Sequence, residues 1–223
     1  MRLALAALLL ALVPQGAAQD PYETRELLGW SVHVERKLLE KNEPGAEALE
    51  LLRVKLFDIT RAVPAGALAK LRAIPIWLSR EDSVAPCACY HPSADWLREH
   101  GHDPRKAKGL EIANAKTFLE WTHEQPMMLL HELAHGYHDQ VLGQNHAGLH
   151  AAFEAVKSSK KLDDVLRWGG SRGRAYALTN ETEFFAEMSE AWFGTNDFAP
   201  FVRPEVQQDF PELARELPLW WGS

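Results

Sequence analysis

The chain has 223 residues, of which 46% are hydrophobic and 25% are charged, and this is the composition of an ordinary globular protein. Its 24 basic and 31 acidic residues leave a formal charge of −7, which argues against a nucleic-acid partner bound by a basic face. No uninterrupted apolar run reaches the roughly 18 residues that a membrane-spanning helix needs, so we also expect no integral membrane association.

The N-terminal sequence has the pattern of a secretory signal peptide. A charged start precedes an apolar run over residues 3–13, and small residues fill positions 16–18. A buried N-terminal helix is the alternative, but no polar residue in the run gives such a helix a second face. We therefore predict that residues 1–18 are a signal peptide, that residues 19–223 form one domain, and that the protein is secreted or periplasmic.

The first part of this domain is predicted to be mainly helical. Over residues 20–60 leucines and valines recur on one side of the first segment, and Pro44 and Gly45 separate it from a second helical segment. Residues 73–79 are short, β-branched and aromatic, which predicts a strand. We interpret the helical segments as scaffold.

A long ordered loop is predicted over residues 81–108, with one short helix at 93–99, because this stretch is rich in Pro, Cys, His and Gly. Its two cysteines, Cys87 and Cys89, are too few for a zinc site made of thiolates alone, and a bridge across one residue departs from comfortable disulfide geometry. We interpret them as loop cysteines without a catalytic role. A strained local disulfide is the alternative in an oxidising compartment.

Residues 109–116 alternate between apolar and polar positions, which predicts a second strand. A helical turn is expected near residues 118–122. The alternation predicts that the polar strand positions Glu111, Asn114 and Lys116 are solvated.

The longest predicted helix begins at Pro126, which suits a first helical turn, and runs to about Leu142. Within it His131, Glu132 and His135 form a His-Glu-x-x-His motif. Residues four apart share a helical face, so both imidazoles can point at one ion while the glutamate projects beside it. A partly exposed polar stripe is the alternative, but burying these groups in an apolar helix costs free energy unless they are paired or bind something.

Two more helices are predicted after it, at residues 147–158 and 181–192. Thr179 or Asn180 is expected to cap the second of them, because short polar side chains accept hydrogen bonds from the first turn. Residues 160–174 are expected to form a polar connection. The C-terminal residues, in which prolines space the aromatics, are expected to wrap the surface.

A catalytic zinc ion usually has three protein ligands and an open fourth position, so one more ligand is needed. His138 shares the helical face of His131, but a span of about 10 Å along the helix is too long for one ion. Glu183 and Glu187, one turn apart on the later helix, can supply a ligand and a neighbour that orients a histidine. The candidates are the remaining histidines and carboxylates near these helices: His138, Asp139, His146, His150, Glu183, Glu187 and Glu190.

The motif at residues 131–135 is joined by the block Tyr-Ala-Leu-Thr-Asn-Glu-Thr-Glu-Phe-Phe-Ala-Glu at residues 176–187. Together they resemble the lethal-factor-like family of gluzincin zinc peptidases, named after the catalytic domain of anthrax lethal factor. The second block is the specific part, because His-Glu-x-x-His alone indicates only a zincin. The resemblance covers residues 125–197, about a third of the chain, and implies a zincin-like single α+β domain, mainly helical with a small sheet.

Position by position, the resemblance also implies roles for individual residues. The implied ligands of one Zn²⁺ ion are His131, His135 and Glu183. Glu132 is then the general base, Glu187 lies beside the ligands, and Tyr176 is the phenol that faces the reacting carbonyl, with a packing role as its alternative. In zincins a strand beside the cleft binds peptide by edge pairing, and residues 109–116 are the candidate here. His138, Asp139 and the loop at residues 87–91 are not explained by the resemblance.

The implied activity is hydrolysis of a peptide or protein substrate by zinc-activated water, without a specified sequence. One alternative is a non-catalytic zinc-containing module that binds a peptide or a partner, although a structural site has no use for a base such as Glu132. Another is a zinc hydrolase of a non-peptide amide or cell-wall fragment, since the same centre could perform that reaction. The oligomeric state is left open.

Overall fold

The sheet and the helices share one apolar core. The computed structural model describes residues 19–222, and the predicted signal peptide lies outside this range. The described residues form a five-stranded sheet, a separate two-stranded hairpin and nine α-helices. One continuous group of buried apolar side chains joins them from the first hairpin to the C-terminal segment. The expected α+β class and the single, mainly helical domain are therefore confirmed.

The five-stranded sheet is mixed. Its strands are β1 (Tyr22–Leu27), β2 (Trp30–Glu35), β3 (Ile76–Leu78), β4 (Ala88–Tyr90) and β5 (Leu110–Ile112). The spatial order is β1-β2-β3-β5-β4, with parallel pairs in the middle and an antiparallel pair at each end. β5 is therefore an internal strand, and β4 forms one edge of the sheet.

The N-terminal hairpin corrects a prediction. Residues 22–35, inside the predicted helical stretch 20–60, form β1 and β2. Leu28 and Gly29 have φ angles of 52° and 91°, and positive φ at both central residues is characteristic of a two-residue type I′ hairpin turn. Every second residue of β2 is fully buried, a period of two that the helical interpretation overlooked.

The helices follow the predicted positions more closely. They are α1 (Gly45–Ala62), α2 (Ala65–Leu71), α3 (Ala94–Glu99), α4 (Ala115–Trp121), α5 (Met128–Tyr137), α6 (Ala147–Ser158), α7 (Glu181–Phe193), α8 (Arg203–Asp209) and α9 (Pro211–Trp220). Short 3-10 turns lie at Arg36–Leu39, Pro104–Lys106 and Tyr176–Leu178. The predictions at 93–99, 147–158 and 181–192 are confirmed to within one residue. α5 continues into a π-helical turn at His138–Leu142.

Four stretches differ from the prediction. The predicted strand 109–116 is shorter, because β5 covers only Leu110–Ile112 and α4 begins at Ala115. The predicted loop 81–108 contains β4, and the predicted connection 160–174 contains the hairpin of β6 (Val165–Leu166) and β7 (Arg172–Gly173). The C-terminal segment forms α8 and α9 instead of an irregular surface wrap. Strands of two or three residues are too short to show a periodic signal, because they exist only through their pairing partners.

Trp221 anchors the C-terminal segment between the two helices that carry the candidate site. It is completely buried, and its ring stacks on Tyr137 of α5 and Phe185 of α7 at centroid distances of 4.4 and 5.3 Å. Its indole N–H donates to Ser189 Oγ at 3.0 Å. These contacts hold α5 and α7 together. Among the described residues no helix is both long and apolar enough to cross a membrane.

Candidate metal centre

His131 and His135 lie one turn apart on α5, and their imidazole rings are perpendicular with centroids 4.6 Å apart. Together with Glu132 they offer ligand atoms that all lie within 4.8 Å of one another. The three side chains line an open cleft with a volume of about 1060 Å³. The motif predicted from spacing therefore converges at one point in the fold.

Glu183 reaches this point from α7. The Asn180 side chain accepts a hydrogen bond from the Glu183 backbone N–H at 2.9 Å, so the predicted cap begins the helix one turn before the carboxylate. Glu183 Oε2 lies 3.0 Å from His131 Nε2 and 3.4 Å from His135 Nε2. Zinc–ligand bonds of about 2.0–2.1 Å in a tetrahedron place neighbouring donor atoms about 3.3 Å apart. The spacing and the donor types therefore fit one zinc ion.

The pKa values of His131 and Glu183 reflect the opposite charges that lie beside each of them. Burial alone would lower the pKa of His131, but its hydrogen bonds with Glu183 and Glu190 raise that pKa well above the usual value. Burial alone would raise the pKa of Glu183, but His131 and His135 hold it far below the usual range. The carboxylate is thus ionised and available as a ligand.

A second carboxylate orients His131 from the other side. Glu190 Oε1 lies 2.7 Å from His131 Nδ1, whereas Glu187 Oε1 lies 3.8 Å away. Glu187 instead accepts a hydrogen bond from Asn196 Nδ2 at 3.2 Å. Sequence spacing alone favoured Glu187 for this role, although Glu190 was among the candidates. A carboxylate on the free nitrogen fixes the tautomer and orientation of a ligating histidine.

Glu187 and Glu190 add two buried carboxyl groups beside His131. Burial raises the pKa of Glu187 well above its usual value, and the charge of Glu190 raises it further. Burial likewise raises the pKa of Glu190. Because an ionised carboxylate is unfavourable when buried without a compensating charge, these groups favour the protonated form unless a cation lies beside them.

Tyr176 lies in the wall of the same cleft, on the 3-10 turn that precedes α7. Its side chain is 46% exposed, and its ring centroid is 6.4 Å from that of His131. Burial and the charge of Glu183 raise the pKa of the phenol, so it stays protonated and can donate. A half-exposed position in the cleft wall does not fit the alternative of a buried packing residue.

The predicted peptide-binding stretch 109–116 forms no edge of the sheet. β5 lies inside the sheet, so its backbone groups are already paired on both sides. The expected solvation of Glu111 is also wrong, because it is fully buried against Lys106 and Ser79. The edge strand β4 borders the cleft instead, and the Tyr90 backbone N–H donates to Glu132 Oε2 at 2.9 Å.

Both cysteines are free thiols, and Cys89 belongs to β4 rather than to a loop. Cys87 is buried with its sulfur 3.4 Å from that of Met128. Burial, helped by the charge of Glu132, raises the pKa of Cys87 to about 12 and that of Cys89 further. Thiols of this kind are poor nucleophiles, which agrees with the predicted lack of a catalytic role.

The other ligand candidates have different roles in the structure. His146 accepts a hydrogen bond at the start of α6, His150 lies 2.6 Å from Glu181, and Asp139 accepts from the Tyr90 hydroxyl. His138 is buried, and burial lowers its pKa. Within the described part of the chain neither of its ring nitrogens has a hydrogen-bond partner.

Comparison with known proteins adds no relative. Protein-family models, curated proteins and solved structures contain no match to this chain. The resemblance noted at residues 131–135 and 176–187 therefore stays a prediction, and the function is argued below from residue chemistry and geometry.

Proposed function

We propose that the protein is a zinc-dependent metallopeptidase of the gluzincin type, secreted or periplasmic, with a zincin-like active-site helix. One observation carries the proposal. One oxygen of α7 lies 3.0 and 3.4 Å from two ring nitrogens of α5, close to the spacing of ligands around a single zinc ion, and these residues line an open cleft together with Glu132.

Three protein ligands leave one position of a tetrahedral zinc ion open, as in catalytic rather than structural sites. His131, His135 and Glu183 would hold the ion, and Glu190 would keep the His131 ring in place. When bound, zinc would polarise the scissile carbonyl and make water more acidic.

Glu132 and Tyr176 supply the remaining chemistry. Glu132 lies beside the two histidines, where its carboxylate can take a proton from water and later return it to the leaving amine. The protonated Tyr176 hydroxyl can donate to the negative oxygen that develops on the carbonyl. One well-placed donor of this kind contributes roughly 3 kcal/mol to the lowering of the barrier.

The edge of β4 favours an extended peptide as the substrate. The inner groups of this strand are paired with β5, as the bonds from Ala113 N–H to Cys87 O and from His91 N–H to Gly109 O show. Because alternate residues of a strand point their backbone groups to opposite sides, those of Ala88 face outward. An extended peptide could pair with this edge through its main chain.

The test combines metal analysis with cleavage of a peptide library. We expect one zinc per chain, hydrolysis by the wild type, and loss of hydrolysis with full zinc retention in Glu132→Gln. Glu124→Gln is the matched control, because Glu124 is an exposed carboxylate of the same cleft and should be dispensable.

Each outcome separates the proposal from its alternatives. Unchanged hydrolysis in Glu132→Gln would overturn the proposed role of this base. Stoichiometric zinc without cleavage of any peptide would favour a binding module, and cleavage of acylated amides alone would favour a non-peptide substrate.

A further inference from the structure

Tyr90 of the edge strand β4 contacts α5 and the π-helical turn that follows it at three places along their length. Its backbone N–H bonds to Glu132, its ring lies on Gly136, and its hydroxyl bonds to Asp139. Positions 132, 136 and 139 follow the spacing i, i+4 and i+7, which is one face of a helix. A single residue therefore connects β4 to this whole face.

The backbone N–H of Tyr90 forms its hydrogen bond on the outer side of the edge strand β4. Cys87 and His91 turn their backbone groups toward β5, so the N–H of Tyr90 points away from the sheet. An outward N–H on an edge strand normally faces solvent. Here it donates to Glu132 Oε2 at 2.9 Å, and thus helps to fix the position of the carboxylate.

The ring contact depends on glycine. A Cβ atom at Gly136 would come within 3.1 Å of Tyr90 Cε2 and 2.6 Å of Ile74 Cδ1, which is closer than side chains pack. The absence of a side chain at this position lets the ring lie directly on the helix backbone.

The hydroxyl contact ends in a charged anchor. The Tyr90 hydroxyl donates to Asp139 Oδ2 at 2.6 Å, and Lys108 Nζ lies 2.6 Å from the same oxygen. Gln140 Nε2 donates to the Tyr90 hydroxyl at 3.0 Å. Burial and the charge of Asp139 raise the pKa of Tyr90, so the phenol remains a donor.

We propose that Tyr90 is a positioning residue that acts through Glu132. The hydrogen bond from the Tyr90 hydroxyl to Asp139 fixes the position of β4 relative to α5. The Tyr90 backbone N–H then holds Glu132 where its carboxylate can act as the base. This role rests on the proposed peptidase function, in which Glu132 is the base. It also accounts for Asp139 and for part of the 87–91 segment.

The first experiment measures the geometry without any activity. Hydrogen exchange of the residue 90 amide should be slow in the wild type, because Glu132 accepts its proton, and fast in Glu132→Ala. Tyr90→Phe keeps the ring and the amide but loses the hydroxyl, and we expect its amide to exchange about tenfold faster. Asp139→Ala should match it, and Asp139→Asn, which keeps an acceptor, should stay close to wild type.

The second experiment separates kcat from KM in the zinc-loaded protein. Tyr90→Phe should lower kcat about tenfold with little change in KM or zinc content, within the up to about 10²-fold loss that a 1 Å misplacement can cause. Asp139→Asn should be close to wild type, and the double variant Tyr90→Phe/Asp139→Ala should be no worse than either single one. Tyr22→Phe is the control, since it also loses a partly buried hydroxyl contact, to Ser79.

The possible results are distinct. Unchanged amide exchange in Tyr90→Phe would overturn the anchor, whatever the activity of the protein. Faster exchange with unchanged kcat, or an equal loss of kcat in Tyr22→Phe, would overturn the positioning role. A wild type that binds zinc without hydrolysing any peptide counts against the proposed function, and the exchange data alone then decide whether Tyr90 holds Glu132.

Discussion

The protein contains two buried polar clusters that differ in how their charges are balanced. The lysine cluster lies beside β3 and β5 and consists of Tyr22, Ser79, Asp82, His91, Lys106 and Glu111. The open cluster lies between α5 and α7 and consists of His131, His135, Glu183, Glu187 and Glu190. In the first cluster the chain itself balances the charges, whereas the second opens into the cleft, where we propose that a zinc ion binds.

In the lysine cluster every charge has a partner. Lys106 is 1% exposed and binds both Glu111 and Asp82, while the second oxygen of Glu111 lies 2.8 Å from His91 Nε2. Burial alone would lower the pKa of Lys106, but Glu111 and Asp82 raise it, so the ammonium stays charged. Such a cluster fits a structural role.

The open cluster has three carboxyl groups around His131 and faces the cleft. Within the described residues His135 Nδ1 has no hydrogen-bond partner. The comparison teaches that buried polar residues alone do not mark a binding site. Carboxyl groups that outnumber their cationic partners and face an opening favour one, and this arrangement supports the proposed zinc site at His131.

The largest expected effect is on the free energy of unfolding, when the lysine cluster loses its cation. Lys106→Met leaves Glu111 buried without its cation, and breaking a buried ion pair from one side costs about 3–5 kcal/mol of unfolding free energy. Urea denaturation should show this loss, whereas Lys70→Met, at an exposed lysine, should change stability little. Equal effects of the two substitutions would show that the lysine cluster is not a structural unit.

Zinc should act on the open cluster alone. A ligand that binds only the folded state at 100 times its Kd stabilises it by about 2.7 kcal/mol. We expect this gain in the wild type and in Lys106→Met, but not in His135→Ala, with His150→Ala as an exposed-histidine control. A persistent gain in His135→Ala would place the zinc ion elsewhere.

Glu190 and Glu187 should affect zinc affinity in the order of their distance from His131, which is shorter for Glu190. Glu190→Gln should weaken zinc binding about 10- to 100-fold, because loss of a partner that orients a ligand has effects of this size. That range corresponds to about 1.4–2.8 kcal/mol. Glu187→Gln should cost less than tenfold, and chelator competition measures both. A larger effect at Glu187 would support the role that its sequence position suggested.

The helices that carry the site could be predicted because their signals are local. The ends of α6 match the prediction, and the Asn180 cap and the i, i+4 histidines depend only on neighbouring residues. The closeness of Glu183 to His131 and His135 followed from the resemblance and from the need for a third ligand. These features need no knowledge of the rest of the fold.

The predictions that failed concern residues whose structure depends on partners far away in the sequence. β4 has three half-buried residues without alternation, and it is a strand only because β5 lies beside it. Glu111 looks like a solvated strand position until Lys106 is brought against it by the chain. The choice of Glu190 over Glu187 is set by how α7 crosses α5, which spacing within α7 does not determine.

The smallest expected effect is on the pH dependence of stability, and it arises at Asp82 of the lysine cluster. Burial alone would raise the pKa of Asp82, but its contact with Lys106 lowers it below the usual value of 3.8. A folded-state pKa below the unfolded one means that the contribution of Asp82 to stability is full above about pH 3.8 and is lost as the pH falls through the folded value.

Asp82→Asn removes this titration, so its unfolding free energy should fall less steeply with acidification than that of the wild type. We expect a difference under about 1 kcal/mol, the range of partly exposed ion pairs. Asp95→Asn, at an aspartate whose side chain is 85% exposed, should leave the slope unchanged. If Asp82→Asn keeps the wild-type slope, Asp82 does not belong to the lysine cluster, and Glu111 alone balances the charge of the Lys106 ammonium.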